Sequence, residues 1–258
     1  MLHNVMEAIM TICEENESLT IEESRVQARK ETSVQVLSNA TMQLTSKPSQ
    51  GMRIVCLSDT HFPPQALQVP EGDVLIVAGD VCLRGHDYEL ELFDRFLGRL
   101  PHRHKLLVAG NHDWVLADAG REAAKLLVKN AIYLEDSGVE IEGVKFWGSP
   151  WQPEFMNWAF NLPRGPQLAN VWAKIPNDID VLITHSPPCG ILDQIPSGEH
   201  VGCDDLLAAL QRVRPKVHVF GHIHEGYGVL KHSGTTFINA SICDDRYRPV
   251  NAPIVIDL

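Results

Sequence analysis

Five short polar clusters recur along this chain in fixed order, each following an apolar run. They are Asp59-Thr60-His61 after Ile54 to Leu57, Gly79-Asp80 after Val74 to Ala78, Gly110-Asn111-His112-Asp113 after Leu106 to Ala109, Thr184-His185 after Val181 to Ile183, and Gly221-His222-Ile223-His224 after Val217 to Phe220. Short apolar runs of this kind predict buried strands, and functional groups of open α/β sheets gather where such strands end. The pattern therefore asks for a fold that carries five strand ends to one place. The residue types are also selective. Carboxylate and amide oxygens with imidazole nitrogens suit hard or borderline divalent cations, and no thiolate stands in any of the five clusters.

Asp59 and His61 are two apart at a strand end, which predicts that both side chains share one face and converge on one cation. His222 and His224 repeat the spacing. Asp80 follows an apolar strand and a glycine, so its carboxylate is expected at the crevice. One carboxylate there can bridge two cations about 3.5–4 Å apart and hold a shared water that is deprotonated near neutral pH. Asn111 adds an amide oxygen without negative charge. His112, next in the chain, is placed to contact a phosphate and protonate a leaving oxygen, with Asp113 orienting it or tuning its pKa. The plainer alternative is that His112 only supports its loop.

The bulk properties narrow the setting. A chain of 258 residues holds one substantial core, or one domain plus an extension. No apolar stretch approaches the roughly 20 residues of a membrane span, and Glu7 interrupts the N-terminal apolar stretch with no Lys or Arg before it, so neither a membrane nor export is expected and the setting reads as cytoplasmic. A formal charge of −11 disfavours long nucleic acids and anionic membranes, although a cation-centred site can still take one phosphate. The six cysteines are widely spaced without a CxxC pair, as free thiols in a reducing compartment would be. Cys189 stands four residues after His185.

Residues 1–51 read as an N-terminal extension and linker, and residues 52–258 as the domain. The extension is rich in Glu, Ser, Thr and Gln, lacks aromatics and ends in Ser46-Lys47-Pro48-Ser49-Gln50-Gly51. Met6, Ile9, Met10 and Cys13 follow helical spacing, and Met52, just before the first core strand, is a candidate start of translation. From there strands alternate with helices expected over Leu90 to Leu100, Ala117 to Lys129 and Asp204 to Val213. A hairpin is expected around Glu142-Gly143, and short strands over Gly228 to Lys231, Thr235 to Asn239 and Pro253 to Asp257. This order suggests a mixed sheet, or two stacked sheets, flanked by helices.

The five clusters together resemble the calcineurin-like metallophosphoesterase superfamily, whose pattern D-x-H, G-D, G-N-H-[D/E], H and G-H-x-H is complete between Asp59 and His224. Gly148-Ser149-Pro150-Trp151, Trp158-Ala159-Phe160-Asn161, Thr184-His185-Ser186-Pro187-Pro188 and Gly221 to Gly228 are similar to the branch that holds the metallophosphoesterase domain-containing proteins and class III cyclic nucleotide phosphodiesterases. The resemblance implies a four-layer αββα sandwich. It implies a first metal on Asp59, His61, Asp80 and His224, a second on Asp80, Asn111, His185 and His222, and His112 as leaving-group acid. Some animal members carry glycine where this chain has His222, so retention of the histidine implies two occupied sites.

The expected activity is hydrolysis of small phosphodiesters, cyclic nucleotides among them, by a hydroxide bridging two divalent or trivalent ions. Mn or Fe comes first by family analogy, with Zn or Ni as alternatives. A phosphomonoesterase or protein phosphatase is the competing enzyme, and a metal-stabilised binding module the non-enzymatic alternative. Specificity belongs to the loops over the metals, where Asn111, His112, Phe160, Asn161 and His200 are the expected substrate contacts. The oligomeric state is open, a homodimer included.

Overall fold

The computed structural model describes residues 51–61 and 67–258. The amphipathic stretch at Met6 to Cys13 and nearly all of the expected linker lie outside these residues.

The first sheet contains β1 (Arg53–Leu57), β2 (Val74–Ala78), β3 (His104–Val108), β4 (Ile132–Tyr133) and β13 (Ile254–Asp257), in the order β13-β1-β2-β3-β4. Strands β1 to β4 run parallel, and β13 closes the edge antiparallel to β1. The second sheet contains β5 (Ser137–Ile141), β6 (Val144–Ser149), β9 (Val181–Thr184), β10 (Val217–Phe220), β11 (Gly228–His232) and β12 (Thr235–Asn239), in the order β11-β12-β10-β9-β6-β5. Its four inner strands are parallel and its two outer ones antiparallel. A separate small pair joins β7 (Gln152–Pro153) to β8 (Asn161–Leu162).

Strand alternation sorts the apolar side chains into three cores. Ile54 and Cys56 of β1, Val74 and Ile76 of β2 and Leu106 and Val108 of β3 face Phe146, Val181, Ile183, Val217, Val219 and Ile238 of the second sheet. The intervening residues of the first sheet, Val55, Leu57, Leu75, Val77 and Leu107, point the other way, onto α1 (Asp87–Arg99), α2 (Trp114–Ala119) and α3 (Arg121–Leu127) through Leu90, Phe93, Leu97, Leu116 and Ala124. On the far face of the second sheet Leu182, Phe220 and Phe237 pack against α4 (Pro166–Trp172) and α5 (Asp204–Val213) through Leu168, Trp172, Leu206 and Leu210. The layers are therefore helix, sheet, sheet, helix. Both faces of each sheet are covered, which is why the central strands read as unbroken apolar runs. Each fully buried Phe or Leu contributes roughly 1.5–3 kcal/mol.

Local chemistry fixes the element ends. The Glu89 carboxylate accepts the backbone N–H groups of Arg84 and His86 at 3.0 Å each, which sets the turn into α1. Glu142 and Gly143 both adopt positive φ (50° and 81°), the two-residue turn that matches hairpin twist, and Ser233 and Gly234 do the same (48° and 85°). The single helix expected over Ala117 to Lys129 is instead two, because Gly120 takes φ 73° between α2 and α3 and ends the first. Helix α4 was not expected; Pro166 occupies its first turn, where a missing N–H costs nothing.

Topology places the functional edge. The parallel strands β1, β2 and β3 and β9, β10 and β12 all run their C-terminal ends to the same side. There the two sheets are tied by a parallel bridge between Ser58 and Ser241, with Ser58 N–H donating to Ala240 O at 2.9 Å and Ile242 N–H to Ser58 O at 2.9 Å.

Candidate metal centre

Every polar cluster sits in the loop directly after its strand, and backbone geometry does the aiming. Asp59, His61, Asp80 and His222 all hold left-handed φ values of 53°, 44°, 52° and 68°. Asp and His enter that region more readily than most residues, and such conformations collect where function over-determines them. The loops brace one another: Asp59 N–H donates to Gly79 O and His61 N–H to Asp80 O, each at 3.0 Å. The glycines leave the room required. A Cβ on Gly110 would collide with the Asp80 carboxylate and His185, one on Gly79 with His185 and Gly110, and one on Gly221 with Asp59 and Ser58.

Asp59 and His61 do converge in one donor group as expected, although left-handed turns rather than strand alternation bring them there. For His222 and His224 the expectation fails, because the two rings serve different groups. Donor atoms of Asp59, His61 and His224 lie within 4.8 Å of one another, as do those of Asp80, His185 and His222, and those of His61, Asp80 and His112. Asp80 ties the groups together. Its Oδ2 stands 3.4 Å from His185 Nε2 and 3.8 Å from His61 Nε2, while its Oδ1 accepts the His112 N–H at 2.8 Å. Asn111 Oδ1 lies 2.9 Å from His185 Nε2.

The electrostatics are those of acceptors crowded together. Burial pushes the Asp59 carboxyl up, but the hydrogen bond and charge of His224, with the charges of His185 and His61, outweigh it and hold Asp59 far below the usual carboxylate range. Asp80 is likewise held low, burial being overcome by His185 first and by His112 and His61 after it. Burial lowers His61 to about 4 and His222 to about 3. Burial also opposes the charge on His185 and His224, yet Asp80 beside the one and Asp59 beside the other raise both to about 9.

The donor set fits cations. His185 Nδ1 donates to Ala78 O and His224 Nδ1 to Asp244 O, each at 2.9 Å, which leaves the Nε2 lone pair of each neutral ring aimed inward. Once a cation displaces the second proton of His224, its Nε2, 3.2 Å from His61 Nε2 and 3.4 Å from Asp59 Oδ1, becomes one of three acceptors that converge on one point. Two buried carboxylates, an amide oxygen and four imidazoles arranged in this way make an N/O site suited to divalent cations. Asp59 is held for that role by Ser241 Oγ, which donates to its Oδ2 at 2.8 Å, and by the His222 N–H at 3.1 and 3.0 Å.

His112 stands beside the cluster, its ring centroid 4.6 Å from that of His61 and 4.3 Å from that of Trp158. Its Nδ1 donates to Leu83 O at 2.7 Å, leaving Nε2 for chemistry. Asp113 does not orient that ring, contrary to expectation. It is fully buried, with Oδ2 accepting the Gly110 N–H at 2.7 Å and Oδ1 the Cys82 N–H at 2.9 Å, so it staples the loop. Burial and then the charge of Asp80 push its carboxyl up to about 7.

The expected substrate contacts divide. Asn111 and His112 are in the cluster. Phe160 is not a contact: it is buried in the core on the helical face of the first sheet, edge-on to Trp151. Asn161 is occupied by its own loop, accepting from Gln152 Nε2 at 2.9 Å and donating to Phe155 O and Met156 O. His200 pairs with the buried Asp193 at 2.5 Å. Cys189 is buried, and its N–H donates to Cys203 O at 3.1 Å.

Three neighbours of the site went unforeseen. Leu83 acts through a carbonyl, which no side-chain pattern announces. Trp158 stands in the Trp158-Ala159-Phe160-Asn161 stretch, whose pattern does not announce its contact with His112. Tyr247 belongs to no cluster, yet its ring lies 4.5 Å from His61, 5.9 Å from His112 and 6.0 Å from His224. Burial, then the charges of Asp80 and Asp59, push its phenol up.

Comparison with known proteins agrees with this geometry. A family profile described as calcineurin-like phosphoesterase matches residues 52–226. The human protein named metallophosphoesterase domain-containing protein 1 is 46% identical over 236 residues, 82% of this chain and 72% of the human one. UPF0046 protein K07C11.7 of Caenorhabditis elegans is 43% identical over 244 residues, covering 88% of this chain and 83% of its own. One solved structure superposes with a TM-score of 0.55 at 17% identity over 74% of this chain and 90% of that one, a likeness of fold.

Proposed function

The chain belongs to the calcineurin-like phosphoesterase family of metal-dependent phosphoester hydrolases, and from that premise we propose that it cleaves small phosphodiesters, cyclic nucleotides among them, at a dinuclear centre. The observation that carries the reading is the position of Asp80, one carboxylate oxygen facing His185 of one donor group and His61 of the other. Preference for diesters draws its support from the stretches Thr184 to Pro188 and Gly221 to Gly228, which resemble class III cyclic nucleotide phosphodiesterases and supply His185, His222 and His224. Mn and Fe are the cations proposed first.

Two divalent cations held here supply charge for phosphoryl oxygens and acidify water toward neutral pH. The chain does the rest. Asp59 and Asp80 keep their negative charge because the surrounding imidazoles hold them ionised. Carbonyl groups of Ala78 and Asp244 fix the tautomers of His185 and His224, so no reorientation is needed as substrate arrives. Asn111 adds a neutral oxygen. His112, with Nδ1 committed to Leu83, has Nε2 free to hand a proton to the departing alkoxide, while Trp158 keeps the imidazole plane in place. No covalent phosphoenzyme is required.

The test is hydrolysis of bis-p-nitrophenyl phosphate and p-nitrophenyl phosphate by metal-stripped protein refilled with Mn. Turnover restored by Mn and faster on the diester is the expected result. A monoester preference would overturn the diester reading, and absence of turnover on either ester with two Mn bound would overturn hydrolysis of such esters altogether.

A further inference from the structure

Tyr247 combines three properties that packing alone does not explain. It is a large aromatic left 47% exposed, its ring lies edge-on against His61 at 4.5 Å and within 6.0 Å of His112 and His224, and its backbone is held at φ 58°, a region an aromatic residue seldom enters. The turn that holds it there is built around Asp244. The Asp244 carbonyl accepts the Tyr247 N–H at 3.0 Å and His224 Nδ1 at 2.9 Å, while its carboxylate accepts the N–H groups of Arg246 at 2.9 Å and Arg248 at 3.0 Å and the Arg248 guanidinium at 2.8 Å. One backbone oxygen thus fixes both a donor imidazole and the position of the phenol ring. Trp158 also lies against His112, half-buried and tilted only 30° from the imidazole plane.

We propose that Tyr247 is a specificity-determining residue whose ring forms an aromatic wall beside His112, and that it takes a flat aromatic group, an aryl ring or a nucleobase, on the alcohol side of the phosphoester. The inference rests on the phosphoesterase reading and deepens it. A phosphate bound among the donor groups directs its leaving oxygen to His112 Nε2, so the substituent on that oxygen emerges next to the ring flanking His61 and His112. A half-exposed aromatic ring there rewards a planar substituent and does little for a methyl group. The left-handed backbone keeps the wall in place before the ligand arrives, so binding does not have to order it.

The experiment is calorimetric titration of the Mn-loaded full chain with phenyl phosphate and with methyl phosphate, which share the phosphate and differ in the substituent. Phenyl phosphate is expected to bind about tenfold more tightly. Tyr247→Leu should erase that preference with two Mn still bound and methyl phosphate affinity kept, and Tyr247→Phe should retain the preference. Equal binding of the two esters by the unaltered protein would overturn the aromatic wall alone. A preference that survives in Tyr247→Leu would overturn it too, as would loss of Mn in that variant, which would make Tyr247 a support for the metal centre. Failure of both esters to bind a Mn-loaded protein that still turns over bis-p-nitrophenyl phosphate would overturn the aromatic wall, whereas failure to bind them together with no turnover of that diester would overturn the phosphoesterase reading itself.

Discussion

Replacing Asp80 by asparagine removes one negative charge from between the two donor groups and little else. Asparagine keeps an oxygen where Oδ1 accepts the His112 N–H at 2.8 Å, and it tolerates the φ of 52° found there. What disappears is the anionic oxygen that stands 3.4 Å from His185 Nε2 and 3.8 Å from His61 Nε2. Without it the mutual repulsion of two divalent cations is no longer offset, and a cation lost from the pair no longer faces the charge developing on the phosphoryl group. The expected loss in kcat/KM is more than about a hundredfold, equivalent to about 2.7 kcal/mol of transition-state stabilisation, with fewer than two metal equivalents retained. Asp80→Ala makes the comparison, since it also drops the His112 hydrogen bond and puts alanine into a left-handed backbone, which adds roughly 1–2 kcal/mol of folding cost. The assay is steady-state turnover of bis-p-nitrophenyl phosphate alongside metal analysis of the same sample. Near-normal kcat/KM in Asp80→Asn with one equivalent of Mn would refute the bridging role, and two tightly held equivalents would refute the electrostatic argument.

His112→Ala should keep both metals and lose activity most where the leaving group is poor, so the ratio of nitrophenolate to alkoxide release should rise; an equal loss for both would argue against proton donation to the leaving oxygen. The metal-free chain should bind Mn more strongly as pH rises. His185 and His224, raised to about 9 by Asp80 and Asp59 against the effect of burial, carry a second proton at pH 7 that a cation must displace. Each site's affinity should climb about tenfold per unit between pH 7 and about 9 and flatten above. Because those pKa values lie above the unfolded value, the stabilisation they bring is full below about 6.5 and fades toward 9, so the melting temperature of metal-free protein should fall across that window. Titrations in a pH series and a parallel melting series check both, and pH-independent uptake would contradict the assignment.

The layered fold and the metal-ligand candidates were legible because both depend on local pattern: strands covered on two faces must be apolar throughout, and a strand end followed by Asp, Asn or His advertises itself. Side-chain direction was less accessible. A two-residue spacing implies a shared face only in extended backbone, and the left-handed turns at Asp59, His61 and His222 break that rule, which is why His222 and His224 part company. Asp113 was misread because adjacency to His112 says nothing of the backbone N–H groups of Gly110 and Cys82 that its carboxylate finds. Phe160 and Asn161 lie in a loop of the expected region, but the loop folds onto itself and uses them to hold its own shape. Tyr247 lies well beyond the last motif, which ends at Gly228, and reaches the site through the return of the chain between β12 and β13, a contact of tertiary origin.

Donor residues come from both sheets: Asp59, His61, Asp80 and Asn111 ride on the first, His185, His222 and His224 on the second. What sets the distance between the two sets is the stack of side chains wedged between the layers, Ile76 and Val108 from one side and Phe146 and Ile183 from the other. That interior works as the spacer of a caliper whose jaws are the strand ends. A methylene gained or lost deep in the layer is expected to change the gauge at the tips, so that residues far from the donors would alter how firmly the jaws grip a cation.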